Sequence, residues 1–362
     1  MPLPMNTSNS SIRRYRRTWR SSYGRHGWIA LLVAAGIAQP VSAAEFKIAT
    51  IAPEGSQWMQ DMRGAATEIK ARTDGRVSVK LYGGGVMGND KKVLRKIRIG
   101  QLHGGAFTST GLAERYPDIV LYGLPLLFGS QDEVDFVRER MDALLEQGLE
   151  DSGFVSFGFA GGGFAKLMGD RPARGLEDLR GRKVWVPEGD PISYAAMEAL
   201  RLSPVVLPIT DVLMGLQTGL LEYVATPPVG AVVLQWYTKV KYVTSLPIAY
   251  TLGVMVVEKR AFQRLSNEDQ IVFRDVMRGI YEGFDTQNRR DNREAEEALR
   301  ANGLQLVDPD PAQVPEWRRV AAETNQRLGS EGAFSTELLR QLLDHLGEYR
   351  NQLEQKAASR VP

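Results

Sequence analysis

"FKIATIAPEGSQWMQDMRGAATEIKARTDGRVSVKLYGGG", residues 46–85, decides the fold class. Phe46–Pro53 alternates and then stops at a proline, as a strand does. From Trp58 to Thr73 the apolar spacing changes to the helical period, and Gly75–Gly85 alternates again until three glycines end it. The rhythm continues, with "DKKVLRKIRIGQL" read as a helix leading to the small-residue strand "HGGAFTST", His103–Thr110. This βαβαβ order implies a mostly parallel sheet with helices on its faces.

Working outward, "SQDEVDFVRERMDALLEQGLEDSG" is a helix with a serine N-cap and a terminal glycine. A second α/β unit follows. Phe154–Met168 reads as a strand running into a glycine crossover, and Leu176–Pro187 as a short helix and a strand. "DVLMGLQTGLLEYVATPP" adds a helix and a small-residue strand end, and Tyr250–Leu265 a long strand and turn. Residues 266–302 form one uninterrupted helix with Ser266 and Asp269 in capping-box spacing, long enough to span and brace two lobes. The expected division is 45–160 plus 250–290 for the first lobe and 161–249 plus 291–362 for the second.

Residues 1–44 read as a signal peptide: an arginine-rich, acid-free start, the apolar run Trp28–Ala38, and small residues that permit cleavage after Ala43 or Ala44. Without the leader's six arginines the formal net charge of +2 becomes −4, so the basicity belongs to the leader. No basic run is interleaved with aromatics, which argues against a nucleic-acid partner, and the mature chain is not expected to insert into a membrane. The expectation is an exported, mildly acidic protein.

The chain has no cysteine, which removes disulfides, thiolate metal sites and cysteine nucleophiles. Beyond the leader the histidines are His103 and His345, there is no Gly-x-Ser-x-Gly elbow, and "YGGGVMGND" lacks the Lys-Ser/Thr ending of a phosphate loop. "DPDP", Asp308–Pro311, is the nearest acidic cluster and reads as a stiffened turn. No catalytic site, metal or cofactor is therefore expected. Two α/β lobes with small and hydroxyl residues at strand ends point to a binding protein whose ligand sits in the crevice between them.

The order of "IATIAPEGSQW", "GRVSVKLYGGGVMGNDKKVLRKIRIGQLHGGAF", "YPDIVLYGLPLLF", "GLEDLRGRKVWVPEGD", "DVLMGLQTGLLEYVATPP" and "LSNEDQIVFRDV" resembles one family. This is the substrate-binding proteins of tripartite ATP-independent periplasmic (TRAP) transporters, of the dicarboxylate-binding type. The resemblance implies a two-lobe, type II-like α/β binding protein with hinge strands and a long bracing helix. It also implies closure on a small-molecule ligand and delivery to small and large membrane subunits. In such proteins an arginine on the strand matching "GRKVWVP" anchors a carboxylate, and the matching residue is Trp185. A second, assisting arginine matches Ala165, and an asparagine before a proline matches Thr226.

These departures point to a ligand that is neutral, aromatic or apolar rather than a simple dicarboxylate, because burying an unpaired carboxylate costs several kcal/mol. A neutral ligand would stack on Trp185 and Phe164. A cation would be met by Trp185 with Glu188 or Asp190, and an acid by a relocated cation such as Lys166. Thr108, Ser109, Trp236 and Tyr250 complete the candidate set, with Thr251 beside Tyr250. A ligand-presenting sensor subunit and, less in keeping with the residues, a periplasmic enzyme are the alternative functions.

Overall fold

The computed structural model describes residues 43–359, so the leader and its apolar run lie outside the described residues. The strands are β1 (Ala44–Thr50), β2 (Val77–Tyr82), β3 (Gly104–Thr108), β4 (Phe154–Gly169), β5 (Lys183–Pro187), β6 (Ser203–Leu207), β7 (Tyr223–Thr226), β8 (Tyr242–Glu258) and β9 (Gln305–Val307). They join in the order β2-β1-β3-β8-β4-β7-β5-β6, with β9 beside β8. The expected parallel pairing holds at both ends: β1 runs parallel to β2 and β3, and β5 to β6 and β7. The middle is antiparallel, because β8 meets β3 and β4 in opposite direction and β4 meets β7 likewise. A chain that crosses to the second lobe along β4 and returns along β8 must produce this mixed sheet.

β8 begins eight residues before the expected Tyr250, since Tyr242–Thr244 pairs with β9. Its later residues, Gly253–Val257, pair with β3. The first half of the sheet carries a core on each face, one around Ile48, Met59, Phe157 and Phe273, the other around Tyr122, Val137, Phe159 and Val254. The second half does the same with Met168, Trp185, Val224 and Trp236 on one face and Leu167, Leu179, Val184 and Leu202 on the other. Consecutive residues 184/185 and 167/168 divide between the two cores, as the two-residue period of a strand requires.

The crossing itself is built on glycine. The β4–β8 register shifts between Ser156 and Phe159 and again between Gly161 and Gly163, the mark of bulges in a bent strand. Gly163 has φ +91°, and a Cβ there would lie 2.7 Å from Asn292 Nδ2. A Cβ on Gly161 would lie 1.9 Å from the Tyr250 hydroxyl, so neither position admits a side chain.

The long helix runs from Asn267 to Ala301, with Ser266 Oγ accepting from Asp269 N–H at 3.1 Å. Asp269 does not reach back as a capping box would; Arg76 holds its carboxylate at 2.9 Å. Phe273, Met277, Tyr281 and Phe284 bury in a first-half core and Leu299 in a second-half core, so this one helix does span both halves. Between those contacts it braces the crossing. Asp285 accepts from Gly161 N–H at 2.6 Å, Asn288 donates to Gly161 O at 2.9 Å, and Asn292 donates to Gly162 O at 2.8 Å.

The last two helices depart from the expected division. Thr336–Ala358 packs Leu339, Leu342 and Leu346 into the first-half core and ties Arg350 to Glu133 at 2.8 Å. An apolar stripe on a terminal helix does not say which lobe it covers, and only the packing assigns it. Val314–Ser330 lies against the helix Pro191–Ala199 of the second half and also reaches the first-half core through Leu328.

Candidate functional site

Where the strand ends of the two halves face one another there is a cleft of about 480 Å³, walled mainly by apolar side chains. Thr108, Ser109, Asn89 and Asp90 enter from the first half; Trp185, Glu188, Asp190 and Thr226 from the second; Ala165, Tyr250 and Thr251 from the crossing. The three positions singled out on β4, β5 and β7, Ala165, Trp185 and Thr226, thus line one cavity although up to 61 residues separate them in sequence. Leu126 also lines it with a left-handed φ of +55°, held by its N–H bond to Ile248 O at 2.7 Å. Such backbone strain in a β-unbranched residue concentrates at binding sites.

Each candidate side chain has a definite employment. Trp185 is 6% exposed, its ring sits edge-on to Trp236 at 5.2 Å, and its Nε1 donates to Leu207 O at 2.9 Å. It is a wall of the cleft with its one donor already used. Trp236 is 1% exposed and lies behind Trp185 in the core, outside the lining. Phe164 is also outside the lining, because β4 alternation aims Ala165 and Leu167 into the cleft and turns Phe164 onto Tyr250 at 5.3 Å. The same alternation sends Lys166 to the long helix, where Glu296 binds it at 3.1 Å. Phe164 and Lys166, expected at the site, are thus placed off the cleft lining, the first on Tyr250 and the second on Glu296.

Thr108 caps a short helix, accepting from Gly111 N–H at 3.2 Å, and its hydroxyl also lies 3.3 Å from Asp90 Oδ2. Asp190 accepts from Ser193 N–H at 2.9 Å as the N-cap of Pro191–Ala199, and burial pushes its carboxyl above the usual range. Tyr250 is 3% exposed with its hydroxyl 3.5 Å from Gln131. His103 accepts from Lys47 N–H at 3.0 Å, away from the cleft lining, which makes it a strand-end packing residue.

With this geometry, the comparisons with known proteins are decisive. Residues 48–331 match the model of bacterial extracellular solute-binding proteins, family 7, the DctP family. The chain belongs to this family. It is therefore a solute-binding protein and not an enzyme. Among its relatives, the uncharacterised protein YiiZ of Salmonella typhimurium is 24% identical over 57% of this chain, and the match spans 65% of that protein, just under two thirds. The sialic acid-binding periplasmic protein SiaP of Vibrio cholerae is 20% identical over 78% of this chain and 88% of its own. Among solved structures, DctP7 of Bordetella pertussis, an extracytoplasmic solute receptor binding pyroglutamic acid, superposes with a TM-score of 0.77 at 21% identity. That alignment covers 84% of this chain and 99% of the other. The fold is thus the two-lobe one of TRAP solute-binding proteins. No helix among the described residues is long and apolar enough to cross a membrane.

Sequence reasoning missed a group that joins the solute-binding protein's halves across the cleft. Asn89 donates to Glu188 Oε2 at 2.7 Å, and Lys91 lies 3.5 Å from Glu188 Oε1. Lys91 is the only basic residue among the described lining, against the carboxylates of Asp90, Glu114, Glu188 and Asp190. Asn89 was legible only as a helix N-cap, and no local pattern signals a partner 99 residues away.

Asp90, next to this group, has its carboxyl pushed up to about 6 by burial, opposed by the Thr108 hydrogen bond and reinforced by the charge of Glu188. A raised carboxyl means that the folded protein keeps a proton the unfolded chain releases, so this residue favours folding below pH 4 and that contribution is lost as pH rises through 6. Asp90→Asn is expected to stabilise the protein by about 1–2 kcal/mol at pH 7.5, discounted for the residue's partial exposure, and hardly at all at pH 4. Urea unfolding at both values checks this; an equal effect at both would mean that charge plays no part.

Proposed function

We propose that this chain is the periplasmic receptor of a TRAP-type secondary transporter, closing its two lobes on a small neutral, largely apolar molecule. The closed form is then presented to the small and large membrane subunits. Ligand contacts from both halves favour closure, and closure is the signal those subunits read. The hinge lies at Gly161–Gly163, with the first lobe comprising the β1–β3 half and the second the β5–β7 half.

The observation that carries the ligand class is the charge of the cleft. Its wall is mostly apolar, its four carboxylates face one lysine, and that lysine is already beside Glu188. An organic acid of the kind named for the Vibrio and Bordetella relatives would enter without a free cation, at a cost of several kcal/mol. A second reading, an organic cation, is favoured by Asp90 and Glu188 at the same wall. Export follows from the leader, with cleavage after Ala43 preferred, since Ala44 N–H already bonds Arg76 O at 2.7 Å and opens β1.

Thermal-shift screening of the processed protein against pyroglutamate and dicarboxylates, neutral aromatics and terpenoids, and amines tests the reading. Neutral compounds at about 100 times their Kd should add about 2.7 kcal/mol of stability, which is a rise of several degrees. Strong stabilisation by the acids alone would sink the proposal, and by the amines alone would replace it with the second reading.

A further inference from the structure

On its second-lobe side the cleft has an apolar part, the chamber, whose lining comes from one core. Leu167, Leu179, Val184, Met197, Leu202 and Ile248 line it on the sheet side, all members of one second-half core or packed on it. Trp317 and Ala321, four residues apart and so on one face of the helix Val314–Ser330, line it as well. Most of that core thus borders the cavity, whereas its counterpart around Trp236 contributes Trp185, Ile209 and Leu234 among the described lining.

Trp317 is 7% exposed, and its indole Nε1–H finds no acceptor among the described residues. A buried donor left without an acceptor costs about 1–3 kcal/mol, and folded proteins keep few of them. The contrast with the cleft's other indole is direct, since Trp185 gives its N–H to Leu207 O. No lysine, arginine or histidine lies among the chamber residues, so a carboxylate placed there would have a single N–H and no countercharge. A neutral oxygen needs no more than that one donor.

We propose that this chamber is a distinct subsite that receives the aliphatic or alicyclic body of the ligand, with Trp317 Nε1 donating to a neutral carbonyl or ether oxygen on that body. The inference rests on the neutral-ligand reading and sharpens it to one class: apolar molecules of monoterpenoid size carrying a neutral acceptor. Trp317 is then the specificity-determining residue, and the polar wall at Asp90 and Glu188 only closes over it.

The test is isothermal titration of the processed protein and of Trp317→Phe and Met197→Trp with three probes: a bicyclic monoterpene ketone, its parent hydrocarbon, and pyroglutamate. Trp317→Phe keeps an aromatic ring and deletes the donor; it should weaken the ketone about tenfold and leave the hydrocarbon within about twofold. Met197→Trp fills the chamber and should abolish binding of both, with far-ultraviolet circular dichroism verifying that each variant is folded. Equal loss for ketone and hydrocarbon in Trp317→Phe would overturn the donor role. Tight ketone binding that neither variant alters would overturn the subsite while leaving the neutral-ligand reading intact. Failure of both neutral probes overturns the subsite, and binding of pyroglutamate in that case removes the neutral-ligand reading as well.

Discussion

Trp185→Ala should lower the stability of the protein by about 3–5 kcal/mol, the range for deleting a large buried aromatic. The side chain is 6% exposed, packs edge-on against Trp236 and gives its N–H to Leu207 O, the last residue of the neighbouring strand β6. Truncation opens a cavity beside Val212 and Val224 and leaves that carbonyl without its indole partner. Trp185→Phe separates the two parts, since it keeps most of the apolar contact and should cost only about 1–2 kcal/mol. Urea unfolding measures both. Loss of ligand affinity in Trp185→Ala with stability unchanged would mean that the ring serves the ligand and not the core.

Arg138→Ala is expected to be as severe, at about 3–5 kcal/mol, because it breaks a buried ionic group from its centre. The guanidinium is 9% exposed and binds Asp142 at 3.0 Å, Asp285 at 2.7 Å and the Phe159 carbonyl at 3.0 Å. Asp285 in turn accepts from Gly161 N–H, so the same residue that neutralises Arg138 pins the hinge strand. Removing the arginine leaves Asp142, already raised by burial, without its cation. The stranded Asp142 carboxylate takes up a proton more readily in the folded state, so the loss should be smaller at pH 5 than at pH 8. Arg138→Lys should rescue little, since one ammonium cannot satisfy two carboxylates and a carbonyl in that planar arrangement. Chemical unfolding at the two pH values reads the result, and a loss below about 1 kcal/mol at both would show that the group contributes nothing net.

Both expectations concern residues whose surroundings could be read only in part from the chain. Trp185 stands out in "GRKVWVPEGD" as an aromatic on a strand bound for the cleft, and the structure does put it at the cleft wall. That its N–H would be taken by residue 207, and that Trp236 would stand behind it, depends on how β5 and β6 pair in register. Phe164 and Lys166 lie off the cleft lining for a related reason. A strand shows its alternation plainly, but which face meets solvent, helix or cleft is set by what packs on it, and here Ala165 and Leu167 took the cleft face. For Arg138 only the pairing with Asp142, four residues on along the same helix, has a legible spacing, whereas Asp285 lies 147 residues away on the long helix.

By itself the sequence determined several local elements, β6 and β9 not among them: the two-residue and helical periods of residues 46–85, the glycine crossover at Gly161–Gly163, and the cap-to-glycine span of the long helix. Those are local properties, set by backbone sterics, spacing and capping, and they carried over with small shifts at their ends. Only the tertiary structure decided which strands run antiparallel, which lobe the last helix covers, and which face of each strand becomes cleft. Those outcomes depend on burial and hydrogen bonding between residues far apart in the chain. The unpaired indole of Trp317 belongs to them, since an unmet donor can be recognised only when everything around it is in place.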